Sequence, residues 1–224
     1  MTSANSKLAQ LAQETGGVVK VCGITNLNDA ELALELGADL IGLVLAANSP
    51  RAIEVDVAAE IIMGLEGRCP TVAVLGDVSA PEAEALVRIA GFDWVQLCGE
   101  ANPVYFHNFP VPILRRISAS EDGAAEMKRW SKFADGYVIE KAGTMGGGGQ
   151  VADWDVAQGL SKDGACLLAG GLKAENVADA IQKVAPLGVD ASSSLEQEIG
   201  RKSEEAMEAF IGAARTALTE EESS

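Results

Sequence analysis

Eight short apolar runs recur along the chain, at residues 18–24 (VVKVCGI), 40–46 (LIGLVLA), 71–76 (TVAVLG), 94–98 (WVQLC), 111–117 (VPILRRI), 136–141 (GYVIEK), 166–170 (CLLAG) and 188–192 (GVDAS). They are nearly continuous rather than alternating, the pattern of strands buried on both faces. Between them the apolar positions change to helical spacing, bounded by start and stop signals. Asn28 can cap a first helix with Glu31 three residues on, Leu32 and Leu36 share a face, and Gly37 follows as a stop. Ser79 and Glu82 repeat the capping pattern ahead of Ala83, Leu86, Val87 and Ala90, with Gly91 as the end. A last helix from near Ser203 sets Met207, Phe210, Ile211, Ala214 and Leu218 on one stripe. Strand–helix alternation throughout demands parallel strands and right-handed crossovers. About eight such units in one α/β domain fit a closed (β/α)8 TIM barrel. An open doubly wound sheet would carry GxGxxG after its first strand, and CGITNLND does not match it.

The 224 residues suit one domain. Residues 1–17 read as an N-terminal extension with a short helix (Leu8, Leu11, Ala12), 18–218 as the barrel, and 219–224 as an acidic tail. No run approaches the roughly 18 apolar residues of a membrane span, and the polar N-terminus lacks a signal-peptide core. A cytoplasmic monomer is the expectation. The net charge of −16 without a Lys/Arg stripe argues against nucleic acid, but a small anion can still be held locally by backbone amides and a few arginines. Cys22, Cys69, Cys98 and Cys166 form no CxxC pair, so no metal site and no disulfide framework are expected. The single histidine, His107, reads as structural or solvated.

In such a barrel the chemistry lies at the C-terminal ends of the strands. Three late loops are rich in small residues: GTMGGGGQ at 143–150, AGGL at 169–172 and ASSS at 191–194. Glycine lets backbone N–H groups converge on an anion, so these loops point to a phosphate site, the alternative being flexible turns. Cys22 ends the first strand, as a nucleophile or base if its pKa is lowered, or else as a small core cysteine. Glu140 ends the sixth. A carboxylate inside a barrel is costly unless paired or used; the alternative is an exposed glutamate beside Lys141. Arg51, after Ser49-Pro50, can grip a carboxylate bidentately or be an ordinary surface arginine.

These residues carry a resemblance to the phosphoribosylanthranilate isomerase family. VKVCGIT at 19–25, SPR at 49–51, DWVQLCGE at 93–100, LAGGLKAENVADAI at 168–181 and GVDASSSLE at 188–196 resemble its motifs in order and spacing, from about residue 18 to 212. The resemblance implies a cofactor-free Amadori rearrangement of a phosphosugar in tryptophan biosynthesis. Cys22 would be the base and Glu140 the acid. Arg51 would hold the anthranilate carboxylate, with Asp190 near the reacting sugar and Cys98 beside the aromatic half. Gly147, Gly148, Gly149, Gly170, Gly171, Ser192 and Ser193 would hold the phosphate. The chain departs from the family pattern at four places. Glu140 stands where the family has aspartate, Cys98 where it has histidine, Ser194 where it has glycine, and Ser203 where an acidic residue is typical. An alternative reading is therefore a divergent paralogue that keeps the phosphate cradle with altered or no isomerase activity.

Overall fold

The computed structural model describes residues 6–45, 47–141 and 152–221. Eight parallel strands close into a barrel in sequence order: β1 (Val18–Cys22), β2 (Leu40–Leu45), β3 (Thr71–Leu75), β4 (Trp94–Leu97), β5 (Ile113–Ala119), β6 (Gly136–Lys141), β7 (Cys166–Leu168) and β8 (Gly188–Ala191). Closure is made by β8 pairing with β1, Lys20 opposite Asp190. Around the barrel lie α2 (Leu27–Glu35), α3 (Val55–Leu65), α4 (Ala80–Ala90), α5 (Gly123–Trp130), α6 (Trp154–Ser161), α7 (Val177–Val184) and α8 (Glu204–Glu221), preceded by α1 (Lys7–Thr15). Among the described residues no helix is long and apolar enough to cross a membrane.

The near-continuous apolar runs follow from this architecture, because successive side chains point to opposite faces of the sheet. Val19 and Val21 of β1 pack outward with Ile41, Leu43 and the helices. Val18 and Cys22 belong to a second core inside the barrel with Leu40, Val44, Val72, Val74, Leu114, Val138 and Leu167. Leu8 of α1 joins that inner core and is wholly buried. Its N–H meets the carbonyl of Asp135 just before β6, so α1 closes the N-terminal mouth of the barrel.

Element ends depart from the sequence expectation for local reasons. The run expected at 111–117 is paired over Ile113–Ala119 instead. Pro112 has no N–H to give to the ladder, while β6 continues to offer partners as far as Lys141. The cap of α2 is Asn26, not Asn28: Asn26 is extended (φ −151°, ψ 160°) and its Oδ1 accepts from the Asp29 N–H at 2.9 Å. The Ser79–Glu82 capping box and the left-handed Gly91 end of α4 are as expected. Ser203 caps α8 by accepting from the Ala206 N–H at 3.3 Å, and Met207, Phe210, Ile211, Ala214 and Leu218 are all buried.

Candidate active site

One cavity of about 320 Å³ opens at the C-terminal mouth of the barrel. Cys22, Arg51, Cys98, Glu140, Gly170, Gly171, Asp190, Ser192 and Ser193 all line it. Gly147, Gly148 and Gly149 lie outside the described residues. The inward parity of the strands brings the set together: Cys22 ends β1, Glu140 nears the end of β6, and Asp190 sits on β8.

Cys22 and Glu140 are both 8% exposed and face the same space. Burial pushes the Cys22 thiol up; the Lys20 ammonium pulls it back, Asp190 adds to the rise, and Lys202 pulls it down further. Burial also lifts the Glu140 carboxyl, against the pull of Arg116, whose Nε lies 3.3 Å from Oε2. The site therefore holds a carboxyl biased toward its acid form opposite a thiol whose ionisation depends on nearby cations. Glu140 is not an exposed glutamate beside Lys141; it is buried and pairs with Arg116. Of the adjacent pair on β5, Arg116 enters the cavity. Arg115 turns outward, donating to the carbonyls of Leu97 and Gly99 and stacking over Trp130.

Arg51 is latched rather than loose. Its Nε donates to Glu196 Oε1 at 2.6 Å and its Nη2 to Oε2 at 2.7 Å. Such a bidentate pair fixes the guanidinium plane. It leaves Nη1 without a bond among the described residues. Glu196 lies in a hairpin of β9 (Glu196–Glu198) and β10 (Arg201–Lys202) that follows β8. Lys202 reaches back from β10, donating to the carbonyls of Cys22 (2.7 Å) and Ser192 (3.0 Å) and to Glu196 Oε1 (3.3 Å).

The small-residue loops after β7 and β8 form one wall. Gly170 and Gly171 have φ of +86° and +65°, a left-handed pair that side chains resist. The Asn176 amide bonds the Gly171 carbonyl and its Oδ1 accepts from the Lys173 N–H, shaping the turn into α7. Ser194 does not take a positive φ. It begins no strained turn; its hydroxyl donates to the Leu172 carbonyl and ties the two loops together. The opposite wall carries Cys98, whose thiol burial pushes up to about 12, with Glu140 adding to the rise. The Gln96 amide donates to that sulfur at 3.4 Å, and its buried Oε1 has no partner among the described residues.

Strand-end reasoning reaches Gln96 and the Arg115–Arg116 pair without giving them roles, and both Gln96 and Arg116 line the cavity; it misses Lys20, Glu196 and Lys202. Parity was a usable signal for Lys20, which stands two residues before Cys22 and must share its face. His107 is exposed, its ring edge-on to Phe133 away from the cavity.

A thiol, a carboxylic acid and a small-residue cradle at the mouth of a (β/α)8 barrel define an acid–base enzyme site of the phosphate-binding barrel class. The model of the N-(5'-phosphoribosyl)anthranilate (PRA) isomerase family matches residues 19–213. N-(5'-phosphoribosyl)anthranilate isomerases of Rubrobacter xylanophilus and Geobacter sp. (strain M21) are 35% and 39% identical over 204 residues, each covering 88% of this chain and 98% and 97% of their own lengths. A phosphoribosyl anthranilate isomerase solved with reduced 1-(o-carboxyphenylamino)-1-deoxyribulose 5-phosphate superposes with a TM-score of 0.79 at 27% identity, over 89% of this chain and 99% of that one. The chain belongs to the N-(5'-phosphoribosyl)anthranilate isomerase family.

Proposed function

We infer that the chain isomerises N-(5'-phosphoribosyl)anthranilate to 1-(2-carboxyphenylamino)-1-deoxyribulose 5-phosphate. The observation that carries this reading is that Cys22 and Glu140 line one cavity together with the small-residue loops of Gly170, Gly171, Ser192 and Ser193. Glu140 protonates the furanose ring oxygen and opens the ring to a Schiff base. Cys22 as thiolate then takes the C2′ proton, giving an enolamine that tautomerises to the ketone. The redox change is internal to the sugar, C1′ being reduced as C2′ is oxidised, so acid and base suffice. The Nη1 end of Arg51, without a bond among the described residues, meets the anthranilate carboxylate while Glu196 holds the guanidinium in plane. Gly170, Gly171, Ser192 and Ser193 hold the phosphate through backbone amides. Asp190 faces the sugar, and Cys98, a neutral thiol at pH 7, borders the aromatic ring. Retention of an acid, a base and an arginine on one cavity favours a working isomerase over a paralogue that only binds. We read the protein as a cytoplasmic monomer: of the most exposed large apolar side chains, Val104 and Tyr105 are neighbours, and Met63, Ile89 and Ile199 lie elsewhere in the chain.

The test is continuous loss of phosphoribosylanthranilate fluorescence. Wild-type protein consumes it, and Cys22→Ser loses nearly all turnover while keeping its KM within about twofold, because base chemistry rather than binding is removed. Full activity in Cys22→Ser overturns the mechanism.

A further inference from the structure

We propose that Lys20 is a positioning residue for Cys22: an ammonium anchored by Asp190 beneath the thiol, which holds the sulfur as thiolate when it takes the C2′ proton. The proposal rests on the assignment of Cys22 as the base.

Lys20 is 0% exposed, an extreme location for a lysine. It stands two residues before Cys22 on β1 and shares its inward face. Its Nζ lies 2.9 Å from Asp190 Oδ1, the residue opposite it in the β1–β8 register. The neighbouring strand leaves room for both groups by having glycine at position 42. A Cβ there would sit 2.9 Å from the Cys22 sulfur and 3.1 Å from Lys20 Nζ, so sulfur and ammonium border one small space. A barrel interior otherwise filled by Val18, Leu40, Val72 and Leu114 has no packing need for a charge.

The groups around the sulfur make the electrostatics explicit. Lys20 faces it from β1, Asp190 from β8 and Lys202 from β10. Arg51 feels its charge from the loop after β2, and Cys98 from the end of β4. Glu196 pairs with Arg51 and Lys202, and Glu140 pairs with Arg116. Cys98 stays a neutral thiol at neutral pH, and Glu140, paired with Arg116, also feels Lys20 and Asp190. Lys20, Lys202 and Arg51 stand against Asp190 and Glu196 around the sulfur, an excess of positive charge that opposes the rise burial imposes on the Cys22 thiol. In the reaction the C2′–H bond breaks, its electron pair enters the enolamine, and the proton forms S–H on Cys22. Lys20 keeps its own proton throughout, held above the ordinary lysine range by Asp190 and then Cys22 against the opposing effect of burial.

The test is the pH dependence of Cys22 alkylation by iodoacetamide, read by peptide mass mapping of the full chain so that Cys69, Cys98 and Cys166 are scored apart. The thiolate is the reacting form, so the midpoint reports its ionisation. Lys20→Met raises the Cys22 midpoint by about one pH unit or more and lowers kcat at least about tenfold, with KM within about twofold. Asp190→Asn, which removes an opposing charge, lowers the midpoint. The double variant Lys20→Met/Asp190→Asn leaves no lone buried charge, and its midpoint stays above wild type because Lys20 acts on the sulfur more strongly than Asp190. A midpoint that is unchanged or lowered in folded Lys20→Met overturns the proposal, as does the same result in the double variant where the single one fails to fold. Alkylation needs no turnover, so failure of the isomerase reading leaves this result readable.

Discussion

Glu140→Asp withdraws the acid by one C–C bond, about 1.5 Å, without changing its chemistry. Glu140 Oε2 now lies 3.3 Å from Arg116 Nε, and the withdrawal opens this to roughly 4.8 Å, beyond hydrogen-bond reach. Two consequences run in the same direction. The proton moves off the ring oxygen it must meet, and displacement on the order of 1 Å costs about 10²-fold in rate. Loss of the Arg116 hydrogen bond then leaves burial less opposed and makes the carboxyl a weaker acid. The expected outcome is a kcat about 30–100-fold lower, equivalent to about 2–2.7 kcal/mol of barrel-mouth transition-state stabilisation. KM changes little, because the phosphate and carboxylate contacts are made by other residues. Fluorescence decay at saturating substrate measures kcat directly. Glutamate has been accommodated here by Arg116, so the family's usual aspartate is a handicap in this barrel. A kcat in Glu140→Asp equal to or above wild type refutes that reasoning.

Glu196→Gln removes the charge that latches Arg51 and Lys202. Burial opposes ionisation of Glu196, but Arg51 and Lys202 outweigh it and hold the carboxyl below its ordinary value. Its stabilising effect is therefore present above the unfolded value of about 4.3 and lost as pH falls through the lower folded one. Urea unfolding at pH 7 should show a loss of about 1–3 kcal/mol, converging with wild type below about pH 4; a difference independent of pH contradicts the linkage. Leu8→Ala empties the lower end of the inner core and costs about 2–5 kcal/mol, lowering Tm by about 5–15 °C by calorimetry. Activity at 25 °C is retained, since Leu8 lies at the opposite end of the barrel from Cys22; lost activity without a fall in Tm contradicts its role as a plug.

Strand number, order and closure were legible because the constraint producing them is local and repeated: each run is apolar on both faces, and each helix carries its own caps. Ends were less legible because pairing, not composition, decides them. Asn26 and Asn28 are equally good caps by type, and the extended backbone at Asn26 selects it. Cys22, Glu140 and Asp190 could be read from strand ends. What holds them could not. Lys20 and Asp190 are 170 residues apart in sequence, and Arg51 and Glu196 are 145 apart. Such partners meet only when β8 closes on β1. The hairpin that carries Glu196 and Lys202 is too short for any periodicity to announce it. Arg115 and Arg116 were indistinguishable by type, and strand parity alone sends the second into the cavity.

A chain with a net charge of −16 has to receive a substrate that is itself an anion at two ends. The conflict is resolved by distance. Charges on the outer helices act across solvent and are screened within about 8–10 Å. Arg51, Arg116, Lys20 and Lys202 act inside or at the rim of a buried mouth, where screening is weak. Two of these cations, Lys20 and Lys202, have no exposed side-chain surface at all. They cannot steer a ligand from outside, so their field is spent on what is already in the cavity. The same placement explains why carboxylates accompany them. Unpaired, two interior ammonium groups would destabilise the barrel; paired with Asp190 and Glu196, they remain charged while leaving Arg51 one end open among the described residues and an excess of positive charge around Cys22. The fold's stability and the chemistry of the thiol thus draw on the same few ion pairs. For that reason neutralising a pair in full is the gentler perturbation, and removing one member of it is the more revealing.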